Sequence, residues 1–333
     1  MRPVSVFVLL ACASMFALHA ADESAGFTFN DQAGQYLDVL YNGKIVGRYM
    51  YAYDKSTPAR LNETYKPYLH VFDAEGKAPI TNGAGAKQYP HHRGIFVGWN
   101  KIGFGGKTYD RWHMKGGEQV HQKFSEQKTD KDQASFTSVI NYNDEAGKPF
   151  MVEERTMTFR RAPAPAYVLV DLRTTLKATE GDVTLDGDPE HAGIHYRPAE
   201  GVNTKETLYV FPKEDAKPHA DFDYPWAGET YTLGGKKYSV VIMSHPDNPK
   251  KTKWSAYRDY GRFGAFPKAA IKSGEALTLK YRFLVAEGDM PAVDAIQTCC
   301  NQFTGLNEPA PKTVVIPAEQ PKPAVKKGEE AKK

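Results

Sequence analysis

Cysteine is scarce in this chain: three in 333 residues, namely Cys12 and the adjacent pair Cys299–Cys300. Neighbouring cysteines seldom bridge, because the ring they would close is strained. A disulfide scaffold is therefore excluded, and the fold must stand on its core. The pair reads as small, buried, apolar side chains. After the first 21 residues there is also no apolar run of about 18 residues, the length a membrane-spanning helix needs. Charge of one sign is lacking too. Lys and Arg number 43 against 40 Asp and Glu, a net +3, and the two signs are interspersed. With no basic stripe, a nucleic-acid partner is excluded. No phosphate-binding loop, dinucleotide fingerprint or G-x-S-x-G elbow occurs, and "GFGG" at Gly103–Gly106 is only a glycine-rich turn.

The two ends differ from the middle. Residues 1–21 carry one early charge (Arg2), an apolar run and small residues at Ala20 and Ala21, the plan of a secretory signal peptide. This predicts export to the periplasm or the extracellular space. "LLAC", ending at Cys12, resembles a lipoprotein box, but apolar sequence continues past Cys12, which favours release over a lipid anchor. Residues 307–333 are rich in Pro, Lys, Glu and Ala and read as a disordered tail, unable to bury enough surface to offset ordering entropy. Residues 22–306 are left as one domain with a sizeable core.

Within that domain the pattern is strand and turn. Phe27–Tyr53 alternates and breaks at "YNGK", where Asn-Gly signals a hairpin. Ser135–Asp144 and Phe150–Arg161 read as a second hairpin, and Tyr167–Thr179, Thr230–Pro246 and Ala276–Gly288 continue the period of two. One helix is expected at Asp289–Gly305, capped by Asp289 with Pro291 in its first turn. The expected fold is all-β: a large antiparallel β-sandwich with a C-terminal helix.

Four of the ten histidines (His91, His92, His113 and His121) crowd into Tyr89–Gln122. In "PHHRG", Gly94 supplies an unusual backbone angle or a close approach. His91 and His92 would point to opposite sides if extended, so only one is expected in any cleft, and Arg93 could hold a carboxylate or a pair of sugar hydroxyls. Trp112 offers a stacking face, with His113 and His121 as polar partners. "DPEHAGIHYRP" (Asp188–Pro198) adds Glu190, His191 and His195. Four residues apart in a strand, the two histidines lie about 13 Å from each other, too far to share a metal; on a tight turn or bent loop, which Gly193 allows, both could ligate one ion. Glu190 beside His191 suits an acid/base pair. Glu153 and Arg155 share one strand face, as a surface pair, a buried ion pair or a contribution to the site. Tyr257, Arg258, Asp259, Tyr260 and Arg262 could close a polar cleft.

The runs "KPYLH" (Lys66–His70), "YPHHRGIFVGW" (Tyr89–Trp99), "EHAGIHYRP" (Glu190–Pro198) and "WSAYRDYGRFGAF" (Trp254–Phe266) resemble a secreted bacterial family that has carried the label methane oxygenase PmoA and is of unknown function. The resemblance covers roughly residues 27–303, with Lys66 where that family would have arginine. The methane label belongs to an integral membrane subunit, whereas this sequence has no spanning segment. The resemblance implies a galactose-mutarotase-like supersandwich and, by analogy, a carbohydrate ligand.

The leading reading is acid/base catalysis on a sugar (hydrolysis, β-elimination or epimerisation), with His91, His92, Glu190, His191 and His195 as catalytic candidates. Arg93, Trp112, His113, His121, Tyr257 and Arg258 are candidates for substrate binding. This reading requires no cofactor. Two others stay open: a glycan-binding protein without turnover, and a histidine-ligated metalloenzyme using a divalent metal.

Overall fold

The computed structural model describes residues 26–320. The expected signal peptide and Cys12 lie outside those residues, as do residues 321–333.

Three antiparallel sheets make up the described residues. The largest has nine strands, ordered in space Val314–Pro317, Leu208–Phe211, Trp226–Leu233, Lys236–Ser244, Ala276–Glu287, Ala166–Ala178, Pro149–Arg161, Gln133–Asn143 and Gln119–Thr129. The second has eight, ordered Phe27–Gln32, Tyr36–Tyr41, Lys44–Met50, Tyr68–Val71, Ile95–Trp99, Ala192–Tyr196, Phe263–Phe266 and Lys253–Ser255. A small four-stranded sheet stands beside them. The fold is therefore the expected all-β antiparallel sandwich.

Alternation explains the packing. In Gln133–Asn143 every second side chain is buried, and Ala134, Phe136, Ile140 and Tyr142 enter the core. Its partner Pro149–Arg161 follows the same rhythm in antiparallel register, Met157 opposite Phe136. The hairpin at Asn42–Gly43 forms, both residues at positive φ, 47° and 76°, as the right-handed twist of the flanking strands requires.

Glu153 and Arg155 lie fully buried between the sheets. Arg155 donates from Nε and Nη2 to the two carboxylate oxygens of Glu153 at 2.6 and 2.8 Å. Tyr142 and Thr174 donate to the same carboxylate, and Arg155 Nη1 reaches the Pro67 carbonyl. Of the readings open for this pair, the structure has the buried ion pair, away from the site described below.

Two expectations change. The helix runs Val293–Thr304 with Ala292 at its N-cap, not from Asp289. Pro291 disfavours helical backbone in the residue before it, and Asp289 instead pairs with Lys237. Gly305 ends the helix in the left-handed region as expected, and Cys299 and Cys300 are buried on it as free thiols. The segment after 306, expected to be disordered, contributes Val314–Pro317, which pairs with Leu208–Phe211 at the edge of the nine-stranded sheet. No described helix is long and apolar enough to cross a membrane.

Candidate functional site

The site is built on the outer face of the eight-stranded sheet. Tyr196 faces inward, its hydroxyl 2.7 Å from that of Tyr231 in the opposite sheet. Alternation therefore turns His195 outward, where it lies edge-on to Phe96, ring centroids 4.3 Å apart. Three neighbouring strands carry the loops that cover this face: Tyr89–Gly94 leads into Ile95–Trp99, Asp188–His191 into Ala192–Tyr196, and Tyr257–Arg262 into Phe263–Phe266. A fourth loop, Asp110–Gly117, lies flat on the sheet because Gly98 has no side chain. A Cβ there would stand 2.4 Å from the Arg111 carbonyl oxygen. Gly94 is equally constrained, with φ +33° and a Cβ that would fall 2.0 Å from the Leu69 carbonyl oxygen.

Five histidines converge. Ring centroids are 4.3 Å apart for His91–His92, 4.5 Å for His91–His113, 4.8 Å for His113–His191 and 5.8 Å for His92–His195. Both members of the His91–His92 pair take part, contrary to the extended-chain expectation. The segment is a turn, with Tyr89 at φ 53° and the His92 amide bonded to the Tyr89 carbonyl. Gly193, at φ 87°, bends the chain between His191 and His195, and the Trp112 indole packs against both rings.

The cluster has two layers. His92 and His195 form a buried floor, and among the described residues none of their four ring nitrogens has a hydrogen-bond partner. Burial, with Arg262 and other cations nearby, pushes both imidazoles far below their ordinary pKa. His91, nearer the surface, is pushed down to about 3 by burial and by Lys66. All three are neutral at neutral pH, so none of them arrives carrying the proton of a general acid.

The upper layer is His113 and His191, held alike. Asp110 accepts from the His113 amide (2.7 Å) and from its Nδ1 (2.8 Å). Asp188 accepts from the Glu190 amide (3.0 Å) and from His191 Nδ1 (2.7 Å). Burial raises both carboxyls, but these hydrogen bonds outweigh it and both sit below the usual range. A carboxylate on Nδ1 fixes the tautomer and leaves Nε2 free for exchange. Asp110 and Asp188 escaped the sequence reading, although the signal was present as D-x-x-H twice over.

Glu190 is a tethered carboxylate. Tyr257 donates to it at 3.0 Å, Arg258 forms a close ion pair, and Arg262 lies 3.9 Å away. Burial pushes it up, but Arg258 pulls it to a net value below normal. Beneath, Arg262 is fully buried and bonds Ser255, with its Nε and Nη1 unpaired. Glu229 is also fully buried, and burial pushes its carboxyl far up.

Other candidates stand elsewhere. Arg93 is buried and donates to the carbonyls of Pro90, Asn62 and Glu63 over the Tyr65 ring, so it fastens the short helix Pro58–Thr64. Trp112 is fully buried and is packing, not a stacking face. The accessible aromatics are Tyr89 and Tyr260, ring centroids 5.2 Å apart at the mouth of the cluster. His121 is remote, on the nine-stranded sheet, bonded to Ser138 and packed on Tyr51 and Phe124. Lys66, noted only as a departure from a family pattern, is buried beneath His113's loop and donates to the Trp112 carbonyl at 2.7 Å. Burial, with Arg93, pushes its amine well down.

Residues in or next to the edge strands of the nine-stranded sheet fasten the Tyr257–Arg262 loop from the far side. Tyr209 donates to the Arg258 carbonyl (2.6 Å), Thr207 to the Asp259 carbonyl (2.6 Å), and the Glu319 amide to the Tyr257 carbonyl (2.9 Å). Among the described residues no group of three His, Cys, Asp or Glu side chains is placed to hold a metal ion. A separate cavity of about 420 Å³, lined by Tyr224, His245, Trp254, Gln297 and Cys300, contains none of the cluster's histidines.

The chain belongs to a family of unknown function, DUF6807. The family's model matches residues 36–299, which span every segment of the site. No curated protein matches the chain. Among solved structures it is similar to a heparan sulfate lyase HepC mutant from Pedobacter heparinus, at 10% identity and TM-score 0.38 over 80% of this chain. It spans only 36% of the lyase's length. It is also similar to a galactose mutarotase-like protein from Lactobacillus casei, at 10% identity and TM-score 0.35, covering 79% of this chain and 100% of that one. Galactose 1-epimerase from Lactobacillus acidophilus gives 8% identity and TM-score 0.39, covering 80% and 100%.

Proposed function

We propose that this is an exported carbohydrate-active enzyme working by acid/base catalysis, with His113 and His191 as the proton-transferring pair. The observation that carries the reading is the duplicated Asp–His construction: two imidazoles 4.8 Å apart, each with a carboxylate on Nδ1. One Nε2 can take a proton from a substrate carbon or hydroxyl while the other returns one, the need common to elimination, epimerisation and hydrolysis. The neutral His91 lies against His113 and can donate or accept a hydrogen bond without introducing charge. Arg258 and Tyr257 hold the Glu190 carboxylate, one residue before His191 in the chain, where it can orient hydroxyls. Tyr89 and Tyr260 offer the flat apolar faces that sugar rings stack on. Export rests on the signal-peptide pattern of residues 1–21.

The test is mass spectrometry of oligosaccharides and oxidised glycosides incubated with the mature protein, with and without chelator. The expected result is a new product that survives chelation and falls by roughly 10²-fold or more in His191→Ala. Undiminished turnover in that variant removes His191 from the mechanism. A product lost on chelation supports metal chemistry instead. Saturable binding without product supports a glycan-binding protein.

A further inference from the structure

We propose that the cleft beside Glu190 is a second sugar subsite, so that the substrate is an oligosaccharide and not a free monosaccharide. The inference rests on the carbohydrate reading above.

The cleft has a volume of about 250 Å³ and is bounded by Asp188, Glu190, Tyr257, His219, Lys253 and Trp254. Pockets for drug-sized ligands start at about 300 Å³, so this one suits a single ring. Its position gives it meaning. Asp188 presents one carboxylate oxygen to His191, and Glu190 bridges Tyr257 and Arg258. Asp188 therefore borders the histidine cluster on one side and the cleft on the other, and Glu190 lines the cleft beside it. A ring lying in the cleft would reach its neighbour past Asp188.

The far wall is made for a sugar. The His219 ring packs at a tilt against Tyr257, centroids 4.1 Å apart, and bonds Glu319 at 2.5 Å, while Lys253 donates to the His219 backbone carbonyl at 2.9 Å. Lys253 Nζ in turn lies 4.7 Å from the Phe222 ring. Among the described residues the exposed large aromatics are Tyr89 and Phe222, 42% and 48% accessible. One stands at the mouth of the histidine cluster and the other beyond the cleft. Burying a Phe ring is favourable, so an open aromatic held beside a cleft-lining lysine suits the apolar face of a sugar unit.

The experiment compares mono-, di- and trisaccharides of one linkage series with the mature protein and its Phe222→Ala variant, reading kcat/KM and, in parallel, calorimetric binding. Phe222 is exposed, so its truncation leaves the core intact and the variant folds. The expected result is that kcat/KM rises with length and that the trisaccharide-to-monosaccharide ratio drops about tenfold in the variant, one stacking contact's worth. Equal rates across lengths, or an unchanged ratio in the variant, overturn the subsite while leaving the catalytic reading intact. Length-dependent binding that Phe222→Ala weakens, with no product at any length, upholds the subsite and removes the catalytic reading. No binding and no turnover at any length overturn both.

Discussion

Single residues here are decided by what holds them. His113 and His191 differ from the other histidines of the cluster in having a carboxylate on Nδ1, and that difference is why they are proposed as the proton-transferring pair. Asp188→Asn keeps the shape but allows the wrong tautomer. We expect kcat to fall roughly 10²-fold or more with a smaller change in KM, as steady-state kinetics would show. Histidines held neutral by burial make a prediction of the opposite kind. His70 and His121 are pushed from the ordinary 6.5 to about 4, and His91 to about 3. Between those values and 6.5 the unfolded chain binds protons that the folded chain does not. Their contribution to stability is therefore full above about pH 6.5 and is lost as pH falls through that window. Thermal unfolding from pH 7 down to 4 should show a falling midpoint. A His70→Gln, His121→Gln double variant should show a shallower slope, and an unaltered slope would refute the assignment.

At the level of elements, most of the fold was legible and much of the site was not, for one physical reason. Strand patterning is local: the alternation of Gln133–Asn143 and the Asn42–Gly43 hairpin are written in neighbouring residues. Site membership is set by non-local contacts. The crowded histidines of Tyr89–Gln122 do converge with His191 and His195, but His121 sits past the loop, on a strand of the other sheet. Arg93 reads as a substrate ligand in sequence, yet two of the three carbonyls it serves are about 30 residues earlier, on a helix too short to leave a periodic signal. The Val314–Pro317 strand is hidden by its composition: three β-branched residues in a Pro/Lys-rich stretch, stable only because Leu208–Phe211 supplies the partner. Two substitutions probe this level. Glu153→Gln strands the buried Arg155 without its counter-charge and should cost about 3–5 kcal/mol in denaturant unfolding. Gly98→Ala drives a methyl into the Arg111 carbonyl. It should cost about 1–3 kcal/mol and displace the loop bearing Asp110 and His113, so activity should fall further than stability.

For the whole molecule, the decisive feature is how the sheets share one loop. Tyr257–Arg262 belongs by chain to the eight-stranded sheet, yet Thr207, Tyr209 and Glu319 tie it to the nine-stranded one. Ending the chain after Leu306 removes the Glu319 tie and the edge strand. We expect a lower unfolding midpoint and weaker substrate binding, measured by calorimetry on the shortened protein; a truncated protein with intact affinity would show the strap to be dispensable. Because the loop that presents Arg258 to Glu190 is stitched to both layers, the candidate site serves as a gauge of their docking. Heat that loosens one sheet from the other should, on the proposed reading, extinguish turnover in the same transition that releases the core, leaving no temperature range in which the protein is folded but inactive.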